Sequence, residues 1–147
     1  MSNGLNPGLG LTILRVVLGM IFLAHGWPKL FGGIEFTSSF LTSLGVPFSS
    51  VAAWILALLE TLGGILLVVG YVVAPVALLL IVHTLTGIFL VHLPNGFYVV
   101  GPGQGGIEFN LVLVAGLLVL IFVGSGFGTL QSRFQKDIKV VESPPSK

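Results

Sequence analysis

The sequence predicts an all-α protein, a bundle of four transmembrane helices, and three observations support this prediction. Of the 147 residues, 54% are hydrophobic and only 7% are charged, whereas about 25% of the residues in a typical soluble domain are charged. The mean hydropathy is +1.09. Four apolar runs have nearly the length of about 20 residues that a helix needs to cross a bilayer. A soluble globule and a disordered chain are both excluded, so we expect the chain to contact lipid.

The apolar runs are continuous and about twice as long as the strands of a membrane barrel, which also alternate in polarity. Helices therefore satisfy their backbone hydrogen bonds better than strands do. Gly70 and Pro75 leave only a few residues between the second and third runs, which predicts an antiparallel hairpin. The expected domain comprises residues 1–130. The runs are Leu9–Trp27, Val51–Gly70, Val72–Val91 and Ile107–Gly124.

The segment Gly32–Pro47, between the first and second runs, has a weaker pattern. Phe36, Phe40, Leu41 and Leu44 share one stripe of a helix, while serines and threonines fall largely elsewhere. This pattern is typical of a short amphipathic segment at the membrane interface or over the mouth of the bundle. A structured loop is the alternative interpretation.

The end of the chain, residues 131–147, is predicted to be a cytoplasmic tail that is partly disordered. It holds most of the Lys and Arg, and Lys29 is the basic residue in the loops of the opposite side. The positive-inside rule then places both the N- and C-termini in the cytoplasm. We expect a multi-pass protein of the inner (plasma) membrane. The net charge of +1 argues against a nucleic-acid partner.

The chain contains no cysteine. Disulfides, a thiolate nucleophile and Cys-ligated metals or clusters are therefore excluded. The sequence indicates no metal site.

Three ionisable residues fall inside the apolar runs: Arg15, Glu60 and His83. A charge at the bilayer centre costs roughly 2.5–3.5 kcal/mol, so each of them needs a partner or water. Glu60 and His83 lie near the middle of their runs, and a long Arg15 side chain could reach the same depth. We predict a buried Arg15–Glu60 ion pair with His83 close by. This pair either contributes to a functional site or only fixes the helix register.

Four further residues fall at the end of the bundle that lies opposite the cytoplasmic termini, where a polar rim is expected. His25 and Lys29 are four residues apart and share a face of the first helix. His92 follows the third run and Glu108 begins the fourth. Each has an ordinary interfacial interpretation, but together they predict a ligand pocket. On a regular helix His92 lies about 180° from His83, which argues against one centre bound by both. The two can both point inward only if the helix ends before His92, as the adjacent Pro94 favours.

These residues fall in motifs that resemble the DoxX family of membrane proteins. The resemblance covers residues 9–130, and its second-helix motif is Glu60-x2-Gly63-Gly64-x2-Leu67-x2-Gly70. It continues through His92, Glu108 and the closing Gly124-Ser125-Gly126. The opening signature is Arg15-x3-Gly19-x2-Phe22-x2-His25-Gly26-x2-Lys29-Leu30-x-Gly32.

The resemblance implies a four-helix membrane protein associated with quinone-linked redox reactions. We therefore expect a small subunit that binds a quinone or quinol among its helices and acts with a partner oxidoreductase. A haem held by two histidines, His83 or His25 with His92, is a weaker alternative. A non-catalytic membrane module that stabilises or recruits a partner is the other interpretation, and homo-oligomers fit either. The candidate ligand-binding residues are His25, Lys29, His92, Glu108, Arg15, Glu60 and His83.

Overall fold

The computed structural model of the protein describes residues 6–101, 104–130 and 132. Within these ranges the regular structure is entirely helical, with no β-strand. The all-helical prediction is confirmed, and four of the helices fall on the four apolar runs. The predicted tail, residues 131–147, lies outside the described residues except for Ser132. The helices are α1 (Pro7–Pro28), α2 (Ile34–Ser43), α3 (Ser49–Val69), α4 (Val73–Gly87) and α5 (Glu108–Phe122).

In the part of the chain that the structure describes, three helical segments are long and apolar enough to cross a membrane. α5 is a shorter apolar helix, and its 15 residues extend roughly 22 Å at 1.5 Å per residue. The chain is therefore a membrane protein with several spanning helices. The three long segments are Pro7–Ser43, Ser49–Val69 and Val73–Asn95.

Helices α1 and α3 pack so closely that their backbones touch. A Cβ atom added to Gly26 would lie 2.5 Å from the Thr61 amide nitrogen. One added to Gly64 would lie 2.6 Å from the Leu23 nitrogen. Small residues that let backbones approach are typical of helix pairs in membranes. These contacts fix the register, with Gly26 beside Glu60 and Thr61.

A break separates α1 from α2. The chain widens into a π-type turn over Lys29–Gly33, and Gly32 has φ +123°, a conformation that residues with a Cβ rarely adopt. α2 then packs on α3 and buries Thr37 and Leu41. The helical interpretation of this segment is thus correct, while Phe36 remains 79% exposed.

The end of α4 is also irregular. A π-type turn covers Ile88–His92, followed by a 3₁₀ turn over Leu93–Asn95. The next segment folds back on itself, since Gly106 N donates to Tyr98 O and Ile107 N donates to Gly96 O. We call residues 96–107 the connecting loop.

The hydrophobic core lies between α1, α3, α4 and α5. Leu67, Leu80 and Leu117 are fully buried there, and Phe22 is 3% exposed. A cavity lies on the side where α1 breaks, and residues of all five α-helices line it.

Candidate functional site

A buried carboxylate forms the centre of the candidate site. Lys29 Nζ lies 2.6 Å from Glu60 Oε1 and 2.5 Å from Oε2. His83 Nε2 lies 2.8 Å from Glu60 Oε1. Three separate elements therefore meet at one side chain: the π-type turn after α1, the middle of α3 and the second half of α4. We call Lys29, Glu60 and His83 the polar triad.

The polar triad is enclosed to different degrees. The Glu60 side chain is 5% exposed, the His83 side chain 16% and the Lys29 side chain 29%. An ionised carboxylate only accepts hydrogen bonds, so His83 Nε2 donates to it. His83 Nδ1 is buried and has no hydrogen-bond partner among the described residues. The triad therefore holds a charge pair together with one unsatisfied ring nitrogen.

A cavity of about 670 Å³ adjoins the polar triad, and all three triad residues line it. Its volume falls within the roughly 300–1,000 Å³ of sites that bind small molecules. Most of its wall is apolar, which is also typical of such sites. Apolar lining residues include Phe22, Phe36, Phe40, Leu41, Leu56, Leu90, Phe109 and Leu113.

Six further polar side chains line the cavity: His25, His92, Asn110, Thr37, Thr84 and Thr86. Each threonine hydroxyl donates to a backbone carbonyl of its own helical segment. His92 Nδ1 lies 2.6 Å from the carbonyl oxygen of Gly105. Since a carbonyl only accepts, Nδ1 carries a proton, and in the neutral ring Nε2 is then an acceptor. His25 is exposed at the end of α1. The cavity thus combines donors and acceptors within an apolar wall.

Glu108 has a different position from the one expected. It does not line the cavity; its Oε1 accepts a hydrogen bond from Val99 N at 2.8 Å. Glu108 N in turn donates to Phe97 O at 3.0 Å. The carboxylate therefore ties the connecting loop to the start of α5, where an acidic side chain also suits the helix dipole.

The predicted Arg15–Glu60 ion pair is wrong. Arg15 is 2% exposed, and its Nη1 donates to Leu67 O at 3.0 Å and to Val68 O at 3.3 Å. Its Nη2 donates to Phe127 O at 3.4 Å. The guanidinium therefore caps the last carbonyls of α3, where a cation opposes the negative end of the helix dipole.

The register of α1 on α3 explains why the pair does not form. The predicted pair assumes that the midpoints of the first and second apolar runs lie at the same depth in the membrane. The glycine contacts instead place Gly26, near the end of α1, beside Glu60. Leu67 lies seven residues beyond Glu60, roughly 10 Å along the helix. Lys29 therefore reaches the carboxylate, and Arg15 meets the end of α3.

His83 of α4 and His92 of the π-type turn after it line the same cavity. On a regular helix the two would lie on opposite faces. The π-type turn over Ile88–His92 changes the angular count, because a π turn holds more residues than an α turn. Such turns are frequent at functional sites.

Sequence reasoning missed four polar residues: Asn110, Thr84 and Thr86, which line the cavity, and Thr61. Asn110 lines the cavity from α5, and its signal was a lone amide inside an apolar run. Thr61 follows Glu60, and its Oγ1 is buried without a hydrogen-bond partner among the described residues. No group of three or more metal-ligating side chains is found in the ranges that the structure describes.

Comparison with known proteins agrees with the motifs. The DoxX family model matches residues 10–93, a range that contains the polar triad and His92. The chain is 34% identical over 119 residues to a Bacillus subtilis (strain 168) protein named "Putative oxidoreductase CatD", which covers 81% of this chain and 82% of that protein.

Two Escherichia coli (strain K12) proteins are also similar. Inner membrane protein YphA is 31% identical over 125 residues, covering 84% of this chain and 89% of that protein. Inner membrane protein YqjF is 28% identical over 120 residues, covering 80% and 86%. No solved structure matches the chain significantly.

Proposed function

The chain belongs to the DoxX family, and we propose that it is a small redox-associated membrane subunit that binds a quinone or quinol. The ligand ring would occupy the cavity beside the polar triad, and the subunit would act with a partner oxidoreductase. The name of the Bacillus relative, which includes "oxidoreductase", supports the redox part of this proposal.

One observation carries the proposal: a carboxylate with a 5% exposed side chain, bound by Lys29 and His83, in the wall of a largely apolar cavity. A quinone ring is flat and apolar, with oxygen atoms that accept hydrogen bonds. Such a ligand needs an apolar slot with a few well-placed polar groups. Lys29 and His25 can donate to the ligand, while Glu60 and His92 Nε2 supply acceptors for the hydroxyls of a quinol.

The arrangement argues against a haem held by His83. An axial histidine ligand binds iron through a free ring nitrogen, either Nε2 or Nδ1. His83 Nε2 is already bonded to Glu60 at 2.8 Å, and its Nδ1 is buried. Binding of iron by His83 would therefore break the polar triad.

Proton exchange is the chemistry that these side chains can perform. Reduction of a quinone to a quinol takes up two electrons and two protons, and oxidation releases them. The electrons would come from, or go to, the partner oxidoreductase. Protons would pass through groups within hydrogen-bond reach of the ligand oxygens, for which Glu60 and His92 are the candidates.

The proposed location is the inner (plasma) membrane, as in the names of the two Escherichia coli relatives. The basic residues of the tail favour cytoplasmic termini. The chain has no cysteine, so labelling of single introduced cysteines with an impermeant reagent tests this orientation directly.

A ligand pair that differs only in its oxygens tests the function. Purified protein in lipid nanodiscs is dialysed against duroquinone or against durene, the tetramethylbenzene without carbonyls, with empty nanodiscs as the blank. We expect saturable binding of duroquinone and none of durene. Glu60→Gln should weaken binding at least tenfold, because the substitution removes the charge that orients Lys29 and His83.

A matched control is present on the neighbouring helix. Glu35 is an exposed acidic residue in the first turn of α2 and does not line the cavity. Glu35→Gln makes the same chemical change and should leave the affinity within twofold. Equal binding of both ligands, or equal effects of both substitutions, would indicate that the polar triad only stabilises the fold of a non-catalytic membrane module.

A further inference from the structure

We propose that the cavity opens sideways into the bilayer, between α2 and the facing ends of α4 and α5, and that its ligand has two parts. A polar ring would lie at the polar triad, and a long apolar tail would leave through this opening into lipid. The inference rests on the proposed function, because it assumes a ring bound at Glu60, and it specifies the class of ligand.

The depth of the polar triad is the first argument. Glu60 lies roughly 16 Å from Ser49 and 14 Å from Val69 along α3, at 1.5 Å per residue. The hydrocarbon layer is about 30 Å thick, so the carboxylate lies near its middle. A ligand that reaches this point from lipid crosses no polar barrier, and its tail stays in hydrocarbon.

The rim of the cavity is the second argument. Four large apolar residues line the cavity and are nevertheless exposed: Phe36 is 79% exposed, Leu90 43%, Phe40 41% and Phe109 41%. Two of them lie on α2, and the others lie on the extension of α4 and on α5. Deeper lining residues such as Leu41 and Leu113 are buried. The rim between α2 and the α4–α5 side is therefore mainly apolar, and His25 and Thr86 are the polar lining residues that are also exposed.

The packing of the helices is the third argument. α2 packs on α3, and α4 packs on α5, which leaves α2 separate from the α4–α5 pair across the cavity. At the end of α4, the connecting loop forms the wall through Val99, Gly105 and Gly106. His92 and Glu108 bond this loop in place. The closed wall is thus made by the loop, and the open side faces the surface that contacts lipid.

Two quinones with one head group test the inference. Ubiquinone-0 has no tail, and decylubiquinone has the same ring with a ten-carbon chain. Leu90→Trp would narrow the rim, while Leu78→Trp on the same helix changes a 56% exposed residue that does not line the cavity. Binding to nanodisc-embedded protein is measured for each ligand and variant.

We expect Leu90→Trp to weaken decylubiquinone binding at least tenfold more than it weakens ubiquinone-0 binding. Leu78→Trp should change neither. Equal effects of Leu90→Trp on both ligands, or no effect on decylubiquinone, would overturn the lateral opening. Phe40→Trp, on the facing side of the rim, repeats the test if Leu90→Trp does not fold.

The proposed function is judged separately in the same experiment. Ubiquinone-0 binding that is lost in Glu60→Gln supports the ring site whatever the tail does. Failure of the wild-type protein to bind either quinone would overturn both proposals.

Discussion

The Lys29 ammonium bridges both carboxylate oxygens of Glu60, at 2.6 and 2.5 Å, although 31 residues separate the two in sequence. The contact depends on two features of α1. Its glycines bring it against α3, and its break after Pro28 turns the lysine toward the cavity. A buried acid and its cation thus come from the middle of one helix and the end of another.

Removing Lys29 should leave the buried Glu60 carboxylate without its cationic partner. We expect Lys29→Met to lower the free energy of unfolding by about 3 kcal/mol, the low end for a broken buried pair, because Lys29 is partly exposed. The double variant Lys29→Met with Glu60→Gln should recover part of this loss, since no uncompensated charge remains. Unfolding in mixed detergent micelles, followed by tryptophan fluorescence, measures both. A double variant no more stable than Lys29→Met would contradict the pairing.

Arg15 should act independently of Glu60. Arg15→Met removes hydrogen bonds to Leu67 O, Val68 O and Phe127 O, and a loss of at least about 2 kcal/mol is expected from bonds with a charged donor. Combined with Glu60→Gln, the two losses should add within about 0.5 kcal/mol. The same unfolding assay measures the coupling energy between the two substitutions. A value above about 1 kcal/mol would show that Arg15 and Glu60 interact and would contradict this account.

Gly26 should not tolerate a side chain. The Cβ of Gly26→Ala would lie 2.5 Å from the Thr61 nitrogen, so α1 and α3 must separate, and Lys29 must move away from Glu60. Gly10→Ala is the control, because nothing lies within 4 Å of an added Cβ there. Thermal unfolding should show a large loss for Gly26→Ala and none for Gly10→Ala. Equal stability of the two variants would refute the close helix contact.

Glu108 should order the connecting loop rather than bind ligand. Glu108→Ala removes the acceptor for Val99 N, and we expect faster hydrogen exchange in peptides that cover residues 96–107. Glu108→Gln keeps an acceptor oxygen and should stay close to the wild type. Glu35→Ala serves as the control for loss of an acidic side chain in a first helical turn. Unchanged exchange in Glu108→Ala would show that the loop does not depend on this bond.

The helices could be predicted from sequence because their signals are local. Continuous apolar runs, Gly70 as a helix end and the stripe of Phe36, Phe40 and Leu41 each predict an element without reference to the others. The ends of α3 and α5 fall within two residues of the predicted runs.

The partner of Glu60 could not be predicted in this way, because it depends on the register of α1 against α3. Contacts of Gly19, Gly26 and Gly64 set that register, and their pairing is a tertiary property. The π-type turn over Ile88–His92 likewise has no sequence signal beyond the adjacent Pro94, yet it brings His92 to the cavity that His83 lines. Asn110 had a signal, a single amide in an apolar run, which the prediction did not use.

Photolabelling with an azidoquinone tests the central claim most directly, namely that a quinone ring binds beside Glu60. Protein in nanodiscs is irradiated with the probe and digested, and the labelled residues are identified by mass spectrometry. The account predicts that the probe labels the cavity-lining residues within 21–44 and 83–92. An excess of duroquinone should abolish these labels, and an excess of durene should not. Labels spread over outward-facing residues such as Leu78 and Val112, unaffected by duroquinone, would contradict it.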